Sequence, residues 1–214
     1  MSNPQGIALF GGTFDPVHQG HLQPLRELLT QFGWQRVELL PTYQPPHRAQ
    51  PQADIAHRWQ MLKLATARDD QLQPNDWEIA QGQPSRTIHT LQHFQQPGLT
   101  LFFIIGMDSL LSLTSWLNYE QLFAYTNFVV LPRPGYDLQQ ASPALHQEIS
   151  ARLEPDPMAC YGHTGRIHLA RTTPLAISAT ELRAQLAEGT QPAALHSEVY
   201  HYIRQHQLYQ SMSV

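Results

Sequence analysis

The chain has 214 residues, of which 42% are hydrophobic and only 14% charged, with one cysteine and a formal net charge of −4. That length suits one large domain or a domain with a small appendage, and the lone thiol, Cys160, excludes an internal disulfide framework and a cysteine-based zinc cluster. The negative balance speaks against a general nucleic-acid binder, and neither a membrane-length apolar run (~20 residues) nor a signal-peptide layout is present, so a cytoplasmic setting without membrane or nucleic-acid partners is expected.

The run at 6–10 (GIALF) ends at a double glycine and reads as a buried strand entering a tight turn. Over 20–32, Leu22, Leu25, Leu28, Leu29 and Phe32 recur at helical spacing. Residues 37–40 read as a second strand stopped by Pro41, and 43–52, with Pro45, Pro46 and Pro51, as a loop. A helix is expected over 55–68 with Trp59, Leu62 and Ala65 on one side. A short strand follows at 77–79, then a helix over 87–95 with Leu91 and Phe94 inward. The run at 99–105 (LTLFFII) is apolar throughout, as at the centre of a parallel sheet, and 128–131 (FVVL) is another such strand, stopped by Pro132. Residues 138–153 are weakly amphipathic, 154–157 form a turn, 166–170 a last strand, and 179–187 and 197–205 closing helices.

Strands alternating with helices predict an α/β fold with a doubly wound, mostly parallel sheet. One domain is expected over 1–214, with a C-terminal helical extension from about residue 172 packing on it. In such sheets ligands sit at the carboxyl ends of strands near the switch point. Three polar segments directly follow strands, after Phe10, after Ile105 and after Ala170, so they are expected to converge.

The first of these is Gly11-Gly12-Thr13-Phe14-Asp15-Pro16-Val17-His18-Gln19-Gly20-His21. Gly11 and Gly12 lack a Cβ and let a phosphate approach the backbone, and Thr13 adds a hydroxyl. The helix starting at Gly20 presents its anion-attracting end. His18 and His21, one turn apart, can face a single ligand, and imidazole donors bind phosphate without a permanent charge. A structural turn with two packing histidines is the plainer alternative. No Gly-Lys-Ser/Thr follows, so the segment is not a P-loop.

The run GGTFDPVHQGH resembles the (T/H)xGH motif of the nucleotidyltransferase superfamily, and the chain is similar to bacterial nicotinate-nucleotide adenylyltransferases from Ala8 to about Tyr209. The likeness extends through Pro45-Pro46-His47-Arg48, Ile104-Ile105-Gly106-Met107-Asp108-Ser109, Arg133-Pro134-Gly135-Tyr136 and Ile177-Ser178-Ala179-Thr180-Glu181-Leu182-Arg183. It implies a Rossmann-like nucleotidyltransferase fold. It also implies adenylyl transfer from ATP to nicotinate mononucleotide, giving nicotinate adenine dinucleotide and pyrophosphate, with Mg²⁺ carried in by ATP.

The resemblance assigns His18, His21 and Arg183 to catalysis, and Gly11, Gly12, Thr13, Phe14, Ser178, Arg183, Gly106, Asp108 and Arg133 to ATP. Thr87 and Trp116 are assigned to the mononucleotide, with His47 and Arg48 on a proline-stiffened loop. Each has a bland counterpart: Ser178 as an ordinary helix cap, Asp108 as a cap, Trp116 as core, Arg48 as a solvated loop residue. An indole face suits an electron-poor pyridine ring. Two departures fall near that ring: Ser85-Arg86-Thr87 stands where relatives commonly have Ser-Tyr-Thr, and Leu117 follows Trp116 where an aromatic is frequent. Rival readings are a related adenylyltransferase acting on nicotinamide mononucleotide or phosphopantetheine, and a non-catalytic nucleotide-binding regulator.

Overall fold

The computed structural model of the protein describes residues 5–44 and 50–210. Strand β1 (Gly6–Gly12) leads through a turn into helix α1 (Gln19–Phe32), followed by β2 (Val37–Pro41), α2 (Ile55–Thr66) and β3 (Leu72–Pro74). The second half begins with the short α3 (Trp77–Ala80) and α4 (Thr87–Phe94). It continues with β4 (Thr100–Gly106), α5 (Met107–Leu111), α6 (Tyr119–Leu122), β5 (Asn127–Leu131), α7 (Pro143–Arg152), β6 (Ile167–Leu169), α8 (Ala179–Ala187) and α9 (Ser197–Gln205). The strands form one six-stranded sheet in the order β3-β2-β1-β4-β5-β6, with every pairing parallel. The order reverses at β1 and β4, so the crevice between their carboxyl ends is the switch point of a doubly wound fold.

Period-two alternation along the strands separates two apolar layers. Ala8 and Phe10 of β1, Phe102 and Ile104 of β4, and Val129 and Leu131 of β5 face the layer built by α1, α2, α8 and α9. Leu9, Leu101, Phe103, Ile105, Phe128 and Val130 face the other layer, where Ile88 and Leu91 of α4, Leu110 of α5, Leu122 of α6 and Ile149 of α7 pack. Helix α1 buries Leu22, Leu25, Leu28, Leu29 and Phe32 and ends at Gly33, whose left-handed φ of 66° closes the helix. Leu182 and Leu186 of α8 and Val199 and Ile203 of α9 join the same core as β1 and α1.

One expectation needs correction. Residues 77–79 are not a strand but the start of α3, because Asn75 Oδ1 accepts the Trp77 N–H at 3.0 Å and starts a helical turn there. The strand in this region is β3 at Leu72–Pro74, a three-residue edge too short for periodicity to reveal. The segment 138–153 resolves into a 3₁₀ turn at Leu138–Gln140 and helix α7, capped by Ser142, whose hydroxyl accepts the Leu145 N–H.

Candidate active site

The turn after β1 is shaped by packing. A Cβ on Gly12 would stand 2.8 Å from the Phe14 ring, so only glycine fits there. Phe14 itself is buried and holds a left-handed backbone, φ 50°. At Gly11 the nearest atom to a Cβ would be 3.4 Å away on Phe103, at the edge of ordinary contact, so packing does not demand glycine at that position.

His18 occupies the N-cap position of α1. Its ring lies against that of His21, with centroids 3.8 Å apart and planes tilted by 30°. The His18 backbone N–H donates to His21 Nδ1 at 3.3 Å. Nδ1 of His21 is therefore an acceptor, which puts the proton of the neutral ring on Nε2. The His18 side chain is only 5% exposed, and its Nδ1 is buried with no hydrogen-bond partner among the described residues. Burial, assisted by the positive charge of Arg133, lowers its pKa from 6.5 to about 4. The imidazole is therefore neutral at pH 7.

Gly20 explains how the first turn meets the segment after the last strand. A Cβ there would lie 2.9 Å from His18 Nδ1 and 3.2 Å from the Ile177 Cβ. The start of α1 and residue 177 are thus packed backbone to side chain. Ser178 is the N-cap residue of α8 by position, but its hydroxyl makes no capping hydrogen bond. Arg183, one turn on, donates from Nη1 to the Asp15 carbonyl at 2.7 Å and from Nη2 to Thr180 Oγ1 at 3.3 Å. Its Nε is buried without a partner among the described residues.

Asp15 is the hub that sequence reasoning passed over. Its carboxylate accepts the N–H groups of Gln52 and Ala53, at 2.8 and 3.1 Å, and the Tyr209 hydroxyl at 2.7 Å. Arg183 Nη1 stands 3.7 Å from the same carboxylate. Burial and the Asp15 charge raise the Tyr209 pKa, so the phenol stays a donor. An Asp-Pro step just ahead of a helix was the available signal for Asp15. For Tyr209 the sequence carried none.

From the other half of the sheet, Gly106 ends β4 and Asp108 follows as the second residue of α5, whose N-cap is Gly106. Asp108 is therefore not the helix cap. A Cβ on Gly106 would stand 2.5 Å from Asp108 Oδ1, so the glycine makes room for the carboxylate to fold back over the strand end. Arg133, just past β5, donates from Nη1 to Asp108 Oδ2 at 2.8 Å, and its guanidinium lies 5.7 Å from the Tyr136 ring centroid. Arg133 also bears on the His18 pKa, which links the β5 end electrostatically to the β1 turn.

Thr87 and Trp116 lie in the opposite helical layer. Thr87 opens α4, and Trp116 is half-buried and edge-on to Phe103, with centroids 6.5 Å apart. Helix α4 packs against α6, which begins three residues after Trp116. Trp77, Glu78, Ser85, Arg86 and His89 line a cavity of about 210 Å³ beside this helix start. His47 and Arg48 lie outside the described residues. Cys160 is buried, and burial pushes its thiol up to about 11.

The residues expected at the crevice thus stand just past the carboxyl ends of β1, β4 and β5, with the start of α8 packed against the first turn. The cytidylyltransferase-like family model matches residues 9–185, which include every one of those strand ends. A probable nicotinate-nucleotide adenylyltransferase of Idiomarina loihiensis is 43% identical over 205 residues, covering 94% of this chain and 98% of that one. The chain belongs to the nicotinate-nucleotide adenylyltransferase family. A relative of the same name in Escherichia coli is 41% identical over 207 residues, 94% of this chain and 97% of its own. Among solved structures, the Plasmodium falciparum nicotinic acid mononucleotide adenylyltransferase complexed with NaAD superposes with a TM-score of 0.71 at 17% identity. It covers 96% of this chain and 97% of its own. At that identity the likeness concerns the family's fold, which this all-parallel sheet shares.

Proposed function

We propose that the crevice between β1 and β4 joins ATP to nicotinate mononucleotide, releasing pyrophosphate and forming nicotinate adenine dinucleotide for NAD biosynthesis. The observation that carries this reading is the contact at Gly20, which brings the two imidazoles and the Ser178–Arg183 helix start to one spot. That spot is a phosphate cradle at the switch point of a sheet whose relatives bear this enzyme's name. The chain is read as one nucleotidyltransferase domain, with α8 contributing to the cradle and α9 packed on the same core.

In the reaction a mononucleotide phosphate oxygen attacks the α-phosphorus of ATP. The new P–O bond forms in line with the breaking bond to pyrophosphate, which leaves with the electron pair. The attacking phosphate is ionised near neutral pH, so neither a covalent nucleophile nor a strong base is needed. The protein aligns the two nucleotides and stabilises charge growing on the phosphoryl oxygens. His18 donates from a neutral ring with His21 stacked beside it, and Arg183, fastened to the first turn, adds a fixed charge. The Gly12–Phe14 backbone and Ser178 complete the phosphate contacts. Gly106, Asp108 and Arg133 serve the adenosine side, and Thr87 and Trp116 the pyridine.

A divalent cation fits this site as cargo on the triphosphate. Asp15 is engaged by two amides and a phenol and Asp108 by Arg133, and no group of three metal-ligating side chains occurs among the described residues. Mg²⁺ commonly binds through substrate phosphates and water, and would offset charge on the leaving pyrophosphate. No helix among the described residues is long and apolar enough to cross a membrane. A cytoplasmic location agrees with the need for ATP.

The test is pyrophosphate release from ATP with nicotinate mononucleotide, nicotinamide mononucleotide and phosphopantetheine offered separately. Preference for the nicotinate acceptor supports the reading. Release with only another acceptor replaces the substrate, and tight ATP binding without any product turns the chain into a regulator.

A further inference from the structure

A fully buried cation lies beneath the crevice with no place in the chemistry described so far. Arg58 of α2 is 1% exposed and lies on the helix's apolar stripe with Met61, Leu62 and Ala65. Its Nη1 donates to two carbonyls, Thr13 and Thr42, each at 2.8 Å, and its Nη2 donates to the Tyr43 carbonyl at 3.1 Å. These acceptors belong to two separate loops, one after β1 and one after β2. Burying a guanidinium is costly. Asp15 and Asp54 supply the opposing charge that favours it here.

The carbonyl and N–H of a trans peptide point to opposite sides. Gripping the Thr13 carbonyl therefore fixes the plane of the Thr13–Phe14 peptide and turns the Phe14 N–H away from Arg58. Gripping the Thr42 carbonyl does the same on the other loop, and there the far end of the peptide is occupied. The Tyr43 N–H donates to Ser85 Oγ at 3.0 Å, and the Ser85 N–H returns a bond to the Gln44 carbonyl at 3.2 Å. Ser85 stands two residues ahead of Thr87. A single nitrogen atom thus ties the turn read as the ATP phosphate cradle to the segment read as the pyridine contact.

We propose that Arg58 is a positioning residue that sets the placement of the two nucleotide subsites relative to each other. The proposal rests on the assignment of substrates given above. Its consequence falls on turnover more than on binding, because each nucleotide keeps its own contacts while their alignment is lost. Misplacement of reacting groups by about 1 Å costs on the order of 100-fold in rate. Lysine keeps the charge but presents one nitrogen, which cannot reproduce the planar fork across three carbonyls.

The experiment compares the full-length wild type with Arg58→Lys and Ser85→Ala. Turnover is measured with ATP and nicotinate mononucleotide, and Kd is measured for each of ATP and the mononucleotide alone by calorimetry. Thermal melts confirm folding at the assay temperature. Arg58→Lys is expected to lower kcat by about 10–100-fold while each Kd stays within about threefold. Ser85→Ala, which cuts the far end of the bridge, is expected to show the same split at smaller size. A kcat for Arg58→Lys within about twofold of wild type, or a loss confined to Kd, overturns the proposal. Should Arg58→Lys fail to fold, Ser85→Ala decides, and unchanged turnover in that variant is the contrary result. Absence of dinucleotide from the wild type itself overturns the substrate assignment and this proposal together, whereas normal wild-type turnover with unaffected variants overturns only the role of Arg58.

Discussion

Replacing His18 by alanine removes a donor whose protonation state the structure specifies. Its pKa of about 4 lies three units below pH 7, so charging the ring there would cost about 4 kcal/mol in the free enzyme. The ring therefore enters the reaction as a neutral donor. Its burial and its contact with His21 hold it ready, so little reorganisation is needed when phosphate charge develops. Loss of one such preorganised donor commonly costs about 3–4 kcal/mol, so His18→Ala is expected to lower kcat by about 100- to 1,000-fold. The smaller side chain creates a modest void, and Tm is expected to move by about 2–4 °C for each kcal/mol lost. The assay is continuous pyrophosphate release at saturating ATP and nicotinate mononucleotide. In the wild type kcat/KM should be flat from about pH 7 to 8.5, above the second phosphate ionisation near 6. A rate falling tenfold per pH unit in that window would mean the imidazolium is required. A variant with near-normal kcat would remove His18 from the mechanism altogether.

Three further outcomes follow from the geometry. Gly20→Ala places a methyl against His18 Nδ1 and Ile177, and is expected to cost about 1–3 kcal/mol in stability and to lower kcat by displacing the imidazole, read by thermal melts and turnover. Trp116→Ala is expected to raise KM for the mononucleotide more than for ATP; equal effects on both would make Trp116 a core residue. Folding stability should fall on acidification from about pH 6.5 to 4. In that window the unfolded His18 takes a proton that the folded one refuses, a loss of roughly 3 kcal/mol when complete. His168, whose pKa burial also lowers, adds in the same direction, so denaturant titrations of His18→Ala should show a shallower acid limb and not a flat one.

The layered sheet was legible because its central strands, at 99–105 and 128–131, are apolar on both faces and flanked by strong stops. The closing helices were legible as well: the expected 179–187 and 197–205 are the observed bounds. The edge was not. β3 has three residues, one of them Pro74, and offers no pattern, while Trp77 and Ile79 offered a false one that the Asn75 turn overrides. At the site, motif residues near strand ends pointed to the crevice between β1 and β4, because ligand-facing residues sit where the chain leaves the sheet. The supporting residues were hidden for a different reason. Asp15, Arg58 and Tyr209 act through contacts between segments far apart in the chain, 194 residues apart for Asp15 and Tyr209. Arg58 left a trace as a charge on the apolar stripe of α2, and Asp15 left one as an Asp-Pro step ahead of a helix; Tyr209 left none.

The most direct measurement is a structure of the protein with nicotinate adenine dinucleotide bound. The account predicts its pyrophosphate linkage between the His18–His21 pair and Arg183, with the pyridine on the Trp116 side of the sheet. A dinucleotide seated away from the imidazoles contradicts it.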